Sequence, residues 1–220
     1  MPISTLNDKI LVGYTMSNFF LVRHGNKPNI AGDPRLSNLG IQQTQITALY
    51  LKDKSITQIY SSPFKRTQET AQVIAAKLTI EKVQIDDRLK ERFNWGNDPS
   101  QTFDQFMEEW KKTTINRDYT PPKGDSSQDA GKRLKDIVDK LKDNNNENIL
   151  LVTHGGVIVD LLRNLFDDEY LKSFSPNFLN AGIGECSITQ LTAQNGKYVL
   201  KEFDSVTHLP QSLQLRSSSW

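Results

Sequence analysis

Two short apolar runs in this chain each lead into a histidine that is followed by glycine. Residues 19–22 run into Arg23 and His24, and residues 149–152 lead through one threonine to His154. A continuous apolar run of this length is typical of a strand buried on both faces. Because ligands bind at the carboxyl ends of strands in open parallel sheets, we expect Arg23, His24 and His154 at a ligand-binding edge.

Helical spacing of apolar residues predicts several helices around these strands. Ser37 has the side chain of a helix N-cap, and a helix is expected from there to about residue 52, with Ile41 and Leu49 facing inward. A second helix begins at Arg66, a third runs from residue 126 or 127 to about 142, and a fourth follows the second apolar run. Apolar residues spaced i, i+3, i+4 and i+7 mark their inner faces, as in the set Ala71, Ile74, Ala75 and Leu78.

The remaining strands are predicted at residues 56–60 and 83–85 and in a terminal hairpin. Residues 186–191 and 198–203 flank Asn195-Gly196, a dipeptide that favours a tight two-residue β-turn. Alternating strands and helices imply a mainly parallel sheet with helices on both faces. We therefore expect an α/β fold with three layers, α/β/α, in which the hairpin adds an antiparallel edge.

The length of the chain fits one domain. Residues 1–220 are interpreted as a single α/β domain, with no internal repeat and no linker. Residues 1–17 are weakly patterned and are expected to be mobile or to add an edge element. The polar, serine-rich stretch at about 210–220 is expected to be a flexible tail.

One long stretch interrupts the alternation of strands and helices. Residues 91–124 are expected to form a cap-like insertion over the carboxyl edge of the sheet. An aromatic and methionine stripe at helical spacing lies within it, and such a stripe is far more often core than ligand site. Its members are Phe103, Phe106, Met107 and Trp110.

Composition narrows the function classes. A net charge of +1 gives no broad basic surface, so binding to nucleic acid or to an anionic membrane is not expected. No apolar stretch is long enough for a membrane span, and the N-terminus lacks a secretory signal. The single cysteine, Cys186, cannot form an internal disulfide and is expected to be a small buried residue in a strand. These features favour a cytoplasmic protein.

His24 is the candidate nucleophile. An imidazole with one unprotonated nitrogen can attack phosphorus, and the resulting phosphohistidine divides a hard displacement into two easier ones. The transferring group carries negative charge on its oxygens, so fixed positive groups are needed around it. Arg23, Arg66 and His154 are the candidates, because a planar guanidinium can contact two phosphate oxygens at once. Gly155 would let the backbone at the start of the following helix approach the anion.

A leaving alkoxide needs a proton, and Glu91 is the candidate donor. A carboxylic acid beside a dianionic phosphate is favoured in its protonated form, because like charges repel. Glu91 stands between the loop after the third strand and the insertion. Asp87, Asp98 and Asp33 are the alternatives. Each residue alone would be an ordinary surface or core residue, as is expected of His208, and the specificity lies in their joint occurrence.

The ordered motifs resemble those of the histidine phosphatase superfamily, whose fold is phosphoglycerate-mutase-like. The first matching segment is Leu-Val-Arg-His-Gly at residues 21–25, and the matches continue to Leu209, nearly the whole chain. The others are residues 35–40, 61–71, 89–92, 152–156 and 207–209. The resemblance implies an enzyme without metal or cofactor, acting on a small phosphorylated substrate. It implies phosphorylation of His24, a phosphate pocket completed by Arg23, Arg66 and His154, and Glu91 as proton donor.

The segment after His24 departs from the family pattern. Many members have Glu or Gln, then Ser or Thr, and an asparagine a few places on, whereas this chain has Asn26, Lys27 and an early asparagine, Asn29. Asn29 remains a substrate-binding candidate. The connection from His24 to Leu36 is short and lacks the tryptophan-containing extension associated with phosphoglycerate mutases. These departures favour a phosphatase.

Other functions stay open at this point. A phosphoglycerate mutase would share the pocket but return the phosphoryl group to a second position. A catalytically weak interaction module could use the same fold. A metal hydrolase could use His24 and His154 as ligands, but the adjacent arginines would repel a cation and a third ligand is not apparent. A homodimer and the identity of the substrate are also left open.

Overall fold

The computed structural model describes residues 16–143, 147–179 and 182–214 of the chain. Within these ranges it contains six strands and six α-helices, which begin and end close to the predicted positions except for the last helix, which was not predicted. In chain order they are β1 (Met16–Arg23), α1 (Asn38–Leu51), β2 (Gln58–Ser61), α2 (Lys65–Leu78), β3 (Val83–Ile85), α3 (Phe103–Ile115), α4 (Ser127–Leu141), β4 (Asn148–Thr153), α5 (Gly155–Leu165), α6 (Asp168–Phe174), β5 (Ile188–Gln194) and β6 (Lys197–Ser205).

The strands form one mixed sheet in the order β3-β2-β4-β1-β5-β6. β1 and β4 are parallel neighbours near its centre, with Arg23 opposite Thr153, and β2 runs parallel to β4 and β3. β5 runs antiparallel to β1, and β6 antiparallel to β5, so the terminal hairpin supplies the antiparallel edge. The predicted three-layer α/β/α fold with a mainly parallel sheet is confirmed.

Alternate residues of β1 pack against different pairs of helices. Phe19 and Leu21 belong to the core formed with α4 and α5, whereas Phe20 and Val22 belong to the core formed with α1 and α2. None of the four is more than 4% exposed. Burying a side chain of this size contributes about 1.5–3 kcal/mol. Because β1 is held from both faces, the residues at its carboxyl end have a well-defined position.

The inner face of α1 differs from the prediction. Ile41 and Leu49 are 39% and 52% exposed, so the expectation that they face inward was wrong. Gln43 is buried instead, where it accepts a hydrogen bond from the backbone N–H of Asn26 (2.8 Å) and donates one to the carbonyl of Leu213 (2.9 Å). A buried polar side chain with such partners costs little, so this face combines polar residues with the apolar Ala48 and Leu51. The other buried polar residues of the helix are Thr44 and Thr47.

Residues 91–124, here called the cap segment, contain α3 and the loops on either side of it. Phe106 and Trp110 are 1% and 3% exposed and pack against Phe93. Phe103 and Met107 are partly buried against the same cluster. The prediction that this aromatic stripe is core is confirmed.

A buried ion pair between Arg92 and Asp160 connects the start of the cap segment to α5. The Nε atom of Arg92 lies 3.0 Å from Oδ2 of Asp160, and the two side chains are 2% and 1% exposed. The guanidinium carbon of Arg92 lies 4.3 Å from the centroid of the Trp110 ring. Its Nη1 donates to the hydroxyls of Thr113 and Thr114, each at 3.0 Å. Burial raises the pKa of Asp160 to about 6, against the pull of Arg92.

The chain after β6 folds back onto α1. His208, expected on the surface, is half-buried, because its Nε2 lies 2.9 Å from Oγ1 of Thr47 and its ring stacks on Tyr50 with centroids 5.0 Å apart. Gln211–Leu213 then form a single 3-10 turn. Residues 215–220 of the expected tail lie outside the described residues.

Some predictions concern the edges of the described ranges. Met16 and Ser17 belong to β1, whereas residues 1–15 of the weakly patterned N-terminal stretch lie outside the described residues. Cys186 is fully buried as expected, but it precedes β5 by two residues and has a positive φ of 55°. In the described ranges no helix combines the length and the apolar character needed to cross a membrane.

Candidate active site

The five side chains predicted to be catalytic line one pocket at the carboxyl edge of the sheet. None of them is more than 9% exposed. Arg23 ends β1 and His24 follows it, and His154 follows the neighbouring strand β4. Arg66 lies in the first turn of α2, and Glu91 begins the cap segment. The five are Arg23, His24, Arg66, Glu91 and His154.

His24 continues the line of β1 and is fixed by hydrogen bonds to main chain. Its backbone N–H donates to the carbonyl of Thr153 (3.0 Å), and its Nδ1 lies 2.8 Å from the carbonyl of Gly25. A carbonyl only accepts, so Nδ1 carries the hydrogen and Nε2 carries the lone pair. Arg66 donates its Nε hydrogen to that Nε2 atom at 3.1 Å. The nitrogen able to act as nucleophile therefore faces the cationic side of the pocket.

Arg66 joins the two histidines. Its Nη2 lies 3.2 Å from Nδ1 of His154 and donates to Oδ1 of Asn94 at 3.2 Å. Its Nη1 lies 3.6 Å from a carboxylate oxygen of Asp33. Because a guanidinium only donates, Nδ1 of His154 must be the acceptor in this pair.

Ser62 completes the orientation of His154. The Nε2 atom of His154 lies 2.8 Å from Oγ of Ser62, and with Nδ1 accepting from Arg66 the hydrogen is on Nε2. The ring of Phe64 packs edge-on against His154 at 5.2 Å between centroids. The two histidine rings meet at the same distance with a T-shaped geometry. His154 thus has one tautomer and one ring orientation.

Burial and neighbouring cations favour neutral histidines in this pocket. Burial, followed by the charges of Arg66 and Arg23, lowers the pKa of His24 well below its usual value. The same burial and the Arg66 charge lower the pKa of His154. A neutral imidazole is the form that can attack phosphorus.

Arg23 also lines the pocket, and its Nη1 donates to the carbonyl of Ile183. Burial lowers the pKa of Arg23, and the carboxylates of Glu185 and Glu91 oppose that effect. Burial also lowers the pKa of Arg66, to about 10. Both guanidinium groups remain charged at neutral pH, so the pocket holds two buried cations beside the histidines.

Glu91 lies at the N-terminus of α5. Its carboxylate accepts hydrogen bonds from the backbone N–H groups of Gly156 (2.9 Å) and Val157 (2.8 Å) and from its neighbour Arg92 (2.9 Å). A Cβ atom on Gly156 would lie 2.7 Å from Oε1 of Glu91 and 2.5 Å from the Trp110 ring. Only glycine at this position lets the carboxylate reach the start of the helix.

The other predicted residues are placed differently. Gly155 opens α5 beside Arg23, and a Cβ there would meet ordinary contacts at 3.4 Å or more. Asn29 lines the mouth of the pocket as an exposed residue. Asp33 pairs with Arg66 and accepts from the backbone N–H of Lys65.

Two of the alternative acids lie apart from this pocket. Asp87 is 74% exposed and pairs with Lys90 at 2.7 Å. Asp98 accepts hydrogen bonds from Ser100, which lower the pKa of its carboxyl group. Neither side chain lines the pocket, so Glu91 is the better placed of the predicted proton donors.

Sequence reasoning missed three side chains that belong to this pocket or support it. Ser62 orients His154, and Asn94 holds Arg66 while donating to the carbonyl of Gly32 at 2.7 Å. Lys27 lines the pocket, although the sequence had marked it only as a departure from the family pattern. Ser62 comes two residues after the predicted strand 56–60 and directly after β2, and that position at the sheet edge was the signal available for it.

The arrangement suits a small oxyanion. Two guanidinium groups converge beside two neutral imidazoles and the N-terminus of α5, and a phosphoryl group there could accept hydrogen bonds from both guanidinium groups. Within the described ranges, no group of three or more His, Cys, Asp or Glu side chains is arranged to hold a metal ion.

Sequence comparison finds relatives over most of the chain. A protein of Hydrogenobacter thermophilus named "Putative phosphoserine phosphatase 2" is 28% identical over 211 residues, which cover 89% of this chain and 99% of that protein. A Yersinia pestis protein named "Probable phosphoglycerate mutase GpmB" is 33% identical over 163 residues, which cover 68% of this chain and 75% of that protein.

Solved structures share the fold. A phosphoserine phosphatase mutant from Entamoeba histolytica, in complex with phosphoserine, has a TM-score of 0.66 at 26% identity, covering 88% of this chain and 100% of that one. A mycobacterial glucosyl-3-phosphoglycerate phosphatase has a TM-score of 0.68 at 24% identity, covering 86% and 99%. The sequence profile of the family described as "Histidine phosphatase superfamily (branch 1)" matches residues 19–205. The chain belongs to the histidine phosphatase superfamily.

Proposed function

We propose that this protein is a metal-independent phosphatase that hydrolyses phosphomonoesters through a phosphohistidine on His24. The observation that carries the proposal is the contact of the Arg66 guanidinium with both histidines, at 3.1 Å and 3.2 Å. Phosphate oxygens can take the place of the histidine nitrogens on that guanidinium, which frees Nε2 of His24 to attack.

In the first step the phosphoryl group moves to the histidine. The lone pair on Nε2 of His24 forms a bond to phosphorus while the ester P–O bond breaks. The departing oxygen takes the proton of the Glu91 carboxyl group and leaves as an alcohol. Nδ1 keeps its hydrogen, and the carbonyl of Gly25, 2.8 Å away, stabilises the positive charge on the phosphorylated ring.

In the second step water releases the phosphate. The water oxygen bonds to phosphorus while the Glu91 carboxylate takes a proton from that water. The P–N bond breaks, and its electron pair returns to Nε2 of His24. Arg23 and Arg66 donate to the equatorial oxygens in both steps, where the negative charge is greatest. His154 can join them only with a proton on Nδ1, a form that the negative charge of the bound phosphate favours. Glu91 is protonated again at the end of the cycle, and no metal ion is needed for the balance.

A phosphoglycerate mutase is the second candidate, because the 33% identical relative carries that name. The two activities share the phosphohistidine and differ in its fate, since a mutase returns the phosphoryl group to a second oxygen of the substrate. Incubation with 3-phosphoglycerate separates them. A phosphatase gives glycerate and free phosphate, whereas a mutase gives 2-phosphoglycerate.

The test measures hydrolysis of p-nitrophenyl phosphate with and without EDTA. Full turnover in EDTA is expected, together with loss of at least about a thousandfold in His24→Ala, which removes the nucleophile. The control is His208→Gln, which replaces a histidine that does not line the pocket. This variant should keep its activity. Brief incubation with ³²P-labelled substrate followed by alkaline quenching should label wild type and leave His24→Ala unlabelled. Turnover that requires added metal, or labelling that persists in His24→Ala, contradicts the proposal.

A further inference from the structure

Lys27 supplies a third cation to the pocket. Its side chain is half-buried and lines the same space as Arg23, His24 and Arg66. The residues that follow it, Pro28 to Ile30, are exposed, so Lys27 stands where the pocket opens to solvent.

The described residues offer the ammonium group of Lys27 few hydrogen-bond acceptors. Its one hydrogen bond within the described residues is to the carbonyl of Pro28, at 3.4 Å. An ammonium carries three donor hydrogens, so two remain for a ligand. The nearby carboxylate of Glu185 has other partners, since its oxygens accept from Nδ2 of Asn26 (2.9 Å) and from Nε2 of Gln43 (3.2 Å).

The electrostatic surroundings make this cation costly in the free protein. Burial, then the charges of Arg66 and Arg23, lower the pKa of Lys27 to about 8, while Glu185 acts in the opposite direction. A half-buried cation beside two others gains more from a bound anion than an exposed lysine does, because solvent screens it less.

The phosphoryl group itself already has its donors. The guanidinium groups of Arg23 and Arg66 are these donors, and they line the pocket with His24, His154 and the start of α5. Lys27 is therefore available to a different part of the substrate. Four other residues that line the pocket are aromatic and offer a substrate no charge: Phe93, Trp95, Phe103 and Phe106.

We infer that Lys27 is a specificity-determining residue that binds a second negatively charged group on the substrate, separated from the phosphoester by a short carbon chain. The inference rests on the proposed phosphatase function and gives it a substrate class, namely acidic phosphomonoesters. A carboxylate and a second phosphoryl group both supply the required charge, and the experiment distinguishes these two sources.

The experiment uses phosphonates, which occupy a phosphate pocket but cannot be hydrolysed. Inhibition of p-nitrophenyl phosphate hydrolysis is measured with phosphonoacetate, with methylenediphosphonate, and with phosphonoacetamide, an isostere of phosphonoacetate in which a neutral amide replaces the carboxylate. The affinities are also measured by calorimetry, so the preference is known whatever the turnover. The variants are Lys27→Met, which keeps the length without the charge, Lys27→Arg, which keeps the charge, and Lys132→Met, which removes an exposed lysine of α4.

Wild type should bind phosphonoacetate or methylenediphosphonate at least about tenfold more tightly than phosphonoacetamide, as a charge-assisted hydrogen bond implies. The more strongly preferred of the two identifies carboxylate or phosphoryl as the second group. The preference should disappear in Lys27→Met, persist in Lys27→Arg and be unchanged in Lys132→Met.

Two results would overturn the inference. One is equal affinity of wild type for phosphonoacetamide and for the two phosphonates that carry a second charged group. The other is a uniform loss in Lys27→Met for all three, which would assign Lys27 to the phosphoryl group. Either result can occur while p-nitrophenyl phosphate is still hydrolysed through His24, whereas absence of that hydrolysis would count against the proposed function.

Discussion

Arg66 donates its Nε hydrogen to the Nε2 atom of His24 across 3.1 Å. The free protein therefore covers the lone pair of its proposed nucleophile with the same guanidinium that is proposed to hold the phosphate. An incoming oxyanion competes with His24 for Arg66, and its success exposes the lone pair. Binding and activation are coupled in one side chain.

Replacing Arg66 should affect both activity and its pH dependence. Arg66→Met removes the donors and the positive charge, so kcat/KM should fall by about 10²–10³. Because that charge lowers the pKa of His24, second only to burial, the pKa should rise in the variant. The acid limb of the pH–rate profile should then move to higher pH.

Arg66→Lys is the matched control for this prediction. It keeps the charge but loses the planar fork, so activity should fall while the acid limb stays near its wild-type position. Profiles of kcat/KM for p-nitrophenyl phosphate provide the measurement. An unshifted limb in Arg66→Met would show that Arg66 does not govern the protonation of His24.

Glu91→Gln should discriminate between leaving groups. A poor alkoxide leaving group needs the proton that Glu91 is proposed to give, so activity on an alkyl phosphate should fall by about 10²–10⁴. p-Nitrophenolate leaves without assistance, and the loss on p-nitrophenyl phosphate should be at least tenfold smaller. Asp87→Asn, at the exposed alternative acid, should alter neither rate. Equal losses on both substrates would point to a different acid.

Ser62→Ala should reduce activity through His154. The hydroxyl of Ser62, 2.8 Å from Nε2, is the partner that fixes the tautomer of His154. Without it the ring can place its hydrogen on Nδ1, where it would oppose Arg66. We expect kcat to fall by roughly tenfold with the fold intact, and Ser62→Thr to restore most of it. Unchanged kcat in Ser62→Ala would remove Ser62 from the positioning of His154.

The stability of the fold should decline in acid partly because of His208. Burial lowers its pKa from 6.5 to about 4, so below pH 6.5 the unfolded chain takes up a proton that the folded chain does not. Its contribution is present above pH 6.5 and is lost as the pH falls toward 4. Urea unfolding midpoints of wild type should therefore drop more steeply over this range than those of His208→Gln.

The same variant isolates His208 from the other titrating groups. His24 and His154 have lowered pKa values and act in the same direction, whereas the raised pKa of Asp160 acts in the opposite one. All three are present in both proteins, so the difference between the two curves reports on His208. Parallel curves would contradict the prediction.

Much of the fold was accessible to sequence reasoning because local pattern and tertiary structure agree there. The apolar run before Arg23 and His24 is the central strand β1, and Asn195-Gly196 has positive φ values of 50° and 74°, as a tight hairpin turn requires. The prediction that Ile41 and Leu49 face inward was wrong because helical periodicity assumes an apolar inner face. The inner face of α1 is partly polar, since Gln43 is buried there and forms hydrogen bonds to Asn26 and Leu213.

Some residues of the candidate site could likewise be predicted from local sequence, whereas others depend on the tertiary fold. Residues that stand next to strands, such as His24 and His154, could be placed at the sheet edge from order alone. Asn94 could not, because its contact with Arg66 spans 28 positions and arises from the path of an irregular loop. The sequence shows that Lys27 departs from the family pattern, yet the charges that surround it are known only from the fold.

The Arg92–Asp160 pair limits how the cap segment could be exchanged. Removing one member of a buried pair costs about 3–5 kcal/mol, because the other charge is left without compensation. Grafting a different insertion between β3 and α4 would have to keep Arg92 and the ring of Trp110 beneath which it stacks. New substrate preferences are therefore easier to engineer in the loop that carries Trp95, beyond this anchored base, than by replacing the insertion as a unit.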